Sequence, residues 1–255
     1  MSLPARVTTL VIAFLAVVAG GIFFALHYIG TQPPVEDYTS FASNGQVNVT
    51  LMTAAQTTVT DKPVWVTYFI KNPSTGQFVH TTYFKVPANT QVNVTILGYD
   101  GCTPLRNPVW GQVTGTFIPG TSEKNVENVA FVNISAPHNK TTSLPAKPIS
   151  TFDSWGTCSV QHTFAIPGLG LNVPVASITD YNDNSNNLCG TSPCTAANAD
   201  ATAPHTVVTF SFRTPKTGGI FRWQCFVPCG LGYVDGNGGP MGTPGYMMGQ
   251  MEVQA

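Results

Sequence analysis

The sequence predicts an all-β sandwich carried on one N-terminal membrane helix, and three observations predict it. Apolar and polar residues alternate in several short stretches. Thr, Asn, Ser, Gly and Pro are abundant while helix formers are scarce after residue 30, the texture of strands joined by turns. Val7–Ile29 is a predominantly apolar run of about 23 residues, long enough to cross a hydrocarbon core of about 30 Å as a helix.

Taken in order, residues 1–31 read as the anchor, 32–45 as a linker and 46–255 as one extracytoplasmic domain, with long insertions near 99–155 and 177–205. Arg6 precedes the apolar run and Gln32-Pro-Pro-Val-Glu-Asp37 follows it. The positive-inside bias then leaves residues 1–6 in the cytoplasm and the rest outside. A cleaved signal peptide is the competing reading. The run is too long for a typical signal core and offers no convincing small-x-small cleavage site, so a retained single-pass anchor in the cell membrane is expected.

Strand signals start after the linker. Gln46–Met52 presents Val47, Val49 and Leu51 on one face, and Pro63–Lys71 presents Val64, Val66, Tyr68 and Ile70. Thr90–Leu97 presents Val92, Val94 and Ile96, and Thr206–Phe212 presents Val208, Phe210 and Phe212. A period of two places such residues on one sheet face. No helical period of comparable length follows the anchor, which favours a sandwich.

Composition removes several functions. Charged residues make up 9% of the chain and the net charge is -1, so a nucleic-acid partner is not expected. There is no nucleophile elbow, zinc-protease helix or phosphate loop. With 12 acidic residues and no cluster of them, a hard-metal centre is not expected either. The chain is not expected to be catalytic on its own.

All six cysteines lie in the part placed outside the cell, where thiols tend to oxidise. Cys189 and Cys194 bound a short Gly-Thr-Ser-Pro loop and read as a disulfide. Four glycosylation sequons begin at Asn48, Asn93, Asn133 and Asn139. The first three asparagines sit between apolar neighbours, which in a strand turns the asparagine to solvent.

The chemistry gathers near the C-terminus. Cys225-Phe-Val-Pro-Cys229-Gly-Leu-Gly offers two thiols four residues apart, a pair suited to a soft metal. Alternation puts Phe221, Trp223 and Cys225 on one inward face, and Met247, Gly249, Met251 and Val253 on another. Met247 is therefore a better candidate thioether than Met248. Met241, Met247, Met248 and Met251 together suit Cu(I), although methionine is more often packing.

Further segments align with that one. Val86-Pro-Ala-Asn-Thr-Gln-Val-Asn-Val94 precedes Ser159-Val-Gln-His162-Thr-Phe-Ala-Ile-Pro-Gly-Leu169. Then come Val207–Phe212, Thr214-Pro-Lys-Thr-Gly-Gly219, Ile220–Cys225 and Met247–Val253. In this order, over roughly residues 86–98 and 159–255, the chain resembles cupredoxins. It is most similar to subunit II of haem–copper oxidases, the cytochrome c or quinol oxidases.

The resemblance implies a cupredoxin-like Greek-key β-sandwich and, in its complete form, a binuclear copper centre. Carried over, His162 takes the first imidazole position, Cys225 and Cys229 the bridging thiolates, Val227 the carbonyl and Met247 the thioether. Tyr233 stands where a second histidine is expected; a different threading puts Thr243 or Pro244 there. His27 lies in the anchor, His138 lies upstream, and His80 or His205 would have to act as a surrogate. The copper motif therefore reads as degenerate. Without copper, Cys225 and Cys229 would form a disulfide, leaving Cys102 and Cys158 as a third pair among the several pairings that six cysteines permit.

The expected function is a membrane-anchored, extracytoplasmic subunit II-like component of a respiratory terminal oxidase, beside its haem–copper catalytic subunit and other membrane subunits. It would transfer electrons through copper, or, with the copper site lost, serve a structural or quinol-oxidase role. The alternatives are a stand-alone membrane-tethered cupredoxin binding one copper, and a cell-surface structural module with no cofactor.

Overall fold

Alternating side chains become two facing sheets in the computed structural model, which describes residues 3–26, 33–57, 65–101, 107–115, 127–135, 140–143, 160–177, 205–229 and 239–255. The chain divides into two compact units, Met1–Pro33 and Pro34–Ala255. The first holds the helix α1 (Leu3–Phe24). Its Pro4–Phe24 stretch, with a mean hydropathy of 2.5, is long and apolar enough to cross a membrane.

The second unit carries, in chain order, β1 (Val35–Asp37), β2 (Gln46–Thr57), β3 (Trp65–Lys71), β4 (Phe78–Val79) and β5 (Tyr83–Pro87). There follow β6 (Gln91–Gly98), β7 (Glu127–Ser135), β8 (Lys140–Ser143), β9 (Val160–Ile166) and β10 (Leu171–Ala176). The last are β11 (His205–Arg213), β12 (Gly219–Gln224) and β13 (Met248–Gln254). Among the described residues they form a six-stranded sheet, β1-β5-β13-β12-β9-β10, and a seven-stranded sheet, β4-β3-β2-β6-β11-β7-β8. This is the all-β, two-sheet architecture expected from the alternation.

The core lies between the sheets. Val47, Val49 and Leu51 of β2, Val92, Val94 and Ile96 of β6, and Val208, Phe210 and Phe212 of β11 come from one side. Phe84, Val86, Phe164, Trp223, Met251 and Val253 come from the other. Each of these side chains is at most 2% exposed. The parity read from the sequence holds for the described residues of all four stretches, Val64 lying outside them, because removing one face from water is the largest favourable term in such a domain. Asn48 is exposed on the outer face, as its sequon setting predicts, and Asn93 pairs with it across the parallel β2–β6 ladder.

Residues 34–45, expected as part of a linker, belong instead to the folded unit. Val35–Asp37 pairs in parallel with β5. Tyr38 is 2% exposed, and its hydroxyl donates to the Lys71 carbonyl. A three-residue edge strand is too short to show a period, and one buried tyrosine supplies the holding energy. The 99–155 insertion contributes β7 and β8 to the larger sheet. Residues 178–204 lie outside the described residues, and so do Cys102, Cys158, Cys189, Cys194 and Asn139, and with them the pairings expected of those cysteines.

Candidate metal centre

Strand β9 is buried along its whole length, Val160 to Ile166, because β10 and β12 flank it and the facing sheet covers it. A histidine here is shielded from water on every side: His162 is 1% exposed. Strand β12 ends at Gln224, and the chain then turns through Cys225–Cys229, whose two thiols are also buried. The turn is pinned from three directions. Cys225 N–H donates to the Met247 carbonyl at 2.9 Å, Phe226 N–H donates to Thr163 Oγ1 at 2.8 Å, and Thr163 N–H points at Cys225 Sγ at 3.4 Å.

These constraints bring three donors together. His162 Nδ1 lies 3.0 Å from Cys229 Sγ and 3.8 Å from Cys225 Sγ, and the two sulfurs are 3.2 Å apart. All three ligand atoms fall within 4.8 Å of one another. The two sulfurs are unbonded here, farther apart than the about 2.05 Å of a disulfide. Val227, expected as the carbonyl position, turns its oxygen to 3.6 Å from Cys225 Sγ.

Asp100, which follows β6, holds the far side of the imidazole. Its Oδ2 accepts from His162 Nε2 at 2.9 Å. Burial alone would push the His162 pKa down, but the Asp100 carboxylate and the Cys225 sulfur outweigh it and raise the value to about 9. Burial likewise opposes a charge on Cys225, yet the hydrogen bonds from Cys229 and His162 bring its pKa well below that of an ordinary thiol. Cys229 is pushed the other way, by burial and by the charge beside it.

The donor set fits a soft or borderline ion. It offers one imidazole nitrogen and two sulfurs, which suit copper with thiolate ligation. The nearby carboxylate is engaged on the opposite ring nitrogen. The imidazole is already turned with Nδ1 toward the sulfurs, as ligation by that atom requires.

Other expected residues fall elsewhere. Met247 is fully buried, with its carbonyl on Cys225. The thioether seen against the cysteine turn is that of Met241, whose Sδ accepts from Cys229 N–H at 3.2 Å. His80 bonds Thr67 Oγ1 at 3.0 Å and packs edge-on against Phe69 and Tyr246. His205 stacks on Tyr99 at 4.8 Å. Neither joins the cluster, so neither acts as a surrogate imidazole among the described residues. Tyr233 lies outside them. Thr243, the alternative position, donates to the Gly239 carbonyl.

Sequence reasoning missed Asp100 as a partner of the centre and ranked Met241 behind Met247. Asp100 belongs to no periodic stretch and meets His162 across 62 residues of chain. Met241 sits in the short 3-10 turn Pro240–Gly242, where strand parity does not apply.

No protein-family model matches this chain. No curated protein matches it either. Among solved structures it is similar to a variant of rusticyanin, at 10% identity over 88% of this chain and 84% of that one, with a TM-score of 0.27. It is also similar to rusticyanin from Thiobacillus ferrooxidans, at 10% identity over 84% of each chain and a TM-score of 0.26. A further rusticyanin structure, described as a copper protein, is 14% identical over 84% of this chain and 85% of that one, with a TM-score of 0.23. Likeness at these values is too slight to carry a function from those proteins to this chain.

Proposed function

We propose that this chain is a membrane-tethered, cupredoxin-like copper protein that carries single electrons, in the manner of subunit II of a haem–copper oxidase. The observation that carries the proposal is the meeting of His162 Nδ1 with the sulfurs of Cys225 and Cys229, all buried and all within 4.8 Å. Support for the subunit II form comes from the Val227 carbonyl beside Cys225 and from an N-terminal helix fit to cross a membrane.

Bound copper would cycle between two oxidation states one electron apart. The chain's own residues supply the rest. Cys225 carries the thiolate, steadied by the Thr163 N–H. Cys229 gives up its proton on ligation, as metal-bound thiols do. Burial beside Tyr68 and Trp223 excludes water, and the turn, held by the N–H groups of Cys225, Phe226 and Cys229, resists movement when charge changes. A rigid, dry site keeps the reorganisation that accompanies electron transfer small. In this reading the domain faces the outside, and its partner is the haem-bearing catalytic subunit.

One observation favours a single ion over a pair: among the described residues a single imidazole reaches the sulfurs. The decisive experiment is metal content, free-thiol count and electron paramagnetic resonance on gently extracted, unreduced protein. Copper with both thiols unoxidised is expected, and the hyperfine pattern distinguishes one copper nucleus from two sharing an electron. Absence of copper together with a Cys225–Cys229 disulfide would overturn the proposal. Co-isolation of haem tests the oxidase partner.

A further inference from the structure

We propose that Asp100 is a positioning residue of this centre, fixing the His162 ring so that Nδ1 faces Cys225 and Cys229; the inference rests on the copper reading above. A neutral imidazole that ligates through Nδ1 must keep its proton on Nε2. Among the described residues that proton has one acceptor, Asp100 Oδ2 at 2.9 Å. Among the described residues the ring paired with it is that of Tyr68, 6.2 Å away centroid to centroid and tilted by 60°, which is not a stacking geometry that would set the ring's rotation.

The carboxylate is itself held. Its other oxygen, Oδ1, accepts from Gly101 N–H at 2.7 Å. The Asp100 N–H donates to Gln161 Oε1 at 3.0 Å. Gln161 also accepts from Thr53 Oγ1 at 3.1 Å, and it donates to the Ala176 carbonyl at 2.6 Å and to Thr206 Oγ1 at 3.1 Å. Every polar atom of that buried amide is satisfied by groups on both sheets. Gly98 leaves the room: a Cβ there would sit 2.3 Å from Gln161 Nε2. Two neighbours on β9 thus cooperate. Gln161 places Asp100, and Asp100 places His162.

The test uses full-length protein extracted from membrane, as wild type, Asp100→Asn and Asp100→Ala. Cu(I) affinity is measured by competition with a chromophoric chelator. Nitrogen-15 NMR of the diamagnetic Cu(I)-loaded protein then reports which ring nitrogen of His162 carries the proton. A carboxylate behind a metal-bound histidine typically governs affinity by about 10–100-fold. We expect a loss in that range for Asp100→Ala and a smaller one for Asp100→Asn, which keeps an acceptor of the same shape. The Nε2 proton signal should weaken in step. Thermal unfolding of the copper-free proteins separates this from a purely structural ion pair, which would lower stability and leave the affinity of folded protein unchanged. Wild-type affinity in both variants overturns the inference and leaves the copper reading standing. Failure of wild type to bind Cu(I) overturns both.

Discussion

Tyr68 donates its hydroxyl to the backbone carbonyl of Thr163 at 3.0 Å. The bond runs from the larger sheet to β9, one residue from His162, and both partners are fully buried. Tyr68→Phe keeps the ring and leaves that carbonyl without its donor, a loss of about 1–2 kcal/mol. Thermal denaturation should show a midpoint lower by several degrees, with little change in the assembled site. An unchanged midpoint would mean that the bond contributes nothing net.

The approach of β13 to Thr82 allows no side chain at Gly249. A Cβ there would lie 2.0 Å from the Thr82 carbonyl oxygen. That oxygen accepts from Trp223 Nε1 and from Gln250 N–H, each at 3.0 Å, so it cannot retreat without breaking both bonds. Gly249→Ala should reach or exceed the top of the ~1–3 kcal/mol range for overpacking. Denaturant unfolding of Gly249→Ala beside Gly242→Ala, where the added Cβ meets nothing within 4 Å, checks the contrast.

Two methionines compete for the thioether role. The Met241 sulfur touches the Cys229 N–H, whereas Met247 is favoured by strand parity and by the family resemblance. Met241→Leu should lower Cu(I) affinity more than Met247→Leu does, and should shift the visible absorption of the oxidised protein. If Met247→Leu is the damaging change and Met241→Leu is silent, the Cys229–Met241 contact is packing alone.

Acid should weaken the fold through His80. Burial holds its pKa near about 4 against an ordinary 6.5. Above pH 6.5 the ring is neutral in both folded and unfolded chains and has no effect. As pH falls from 6.5 toward 4 the unfolded chain takes up a proton that the folded chain refuses, so stability drops across that window. Allowing for the ring's partial exposure, the loss is about 1–2 kcal/mol. Urea unfolding of wild type and His80→Phe across this range tests it: the wild type should show the steeper loss.

The sequon asparagines of neighbouring strands bind each other, Asn93 Nδ2 donating to Asn48 Oδ1 at 3.0 Å. Asn93 also donates to Gln46 and accepts from Gln91. Two sugar chains cannot occupy so small a separation. Intact mass analysis of protein from its native host should find no molecule with glycans on both Asn48 and Asn93. Finding the doubly modified form would refute this.

The sheets were legible because a buried face imposes a period of two. Val47, Val92, Val208 and their neighbours show it, and a wrong register would have sent them all to water. His162, Cys225 and Cys229 were legible as a set through the ordered segments that carry them. Val35–Asp37 was not, since three residues define no period. Asp100 was not, because its role depends on an imidazole 62 residues away and on a glutamine amide that no pattern marks. Even β9 misleads in one respect: Gln161 and Thr163 look like the solvent side of an alternating strand, yet both are fully buried, because polar partners await them inside.

The spacing of the donors along the chain sets the order in which the centre assembles. Cys225 and Cys229 are four residues apart, while His162 is 63 residues from Cys225. Closing the longer loop costs about 2 kcal/mol more in chain entropy, and it also waits for β12 to pair with β9 within one sheet, so the thiols find each other before they find the imidazole. An oxidant met during that interval faces a bare dithiol with neither metal nor histidine beside it. A centre with both thiols free therefore requires the pair to stay reduced until β12 has joined β9.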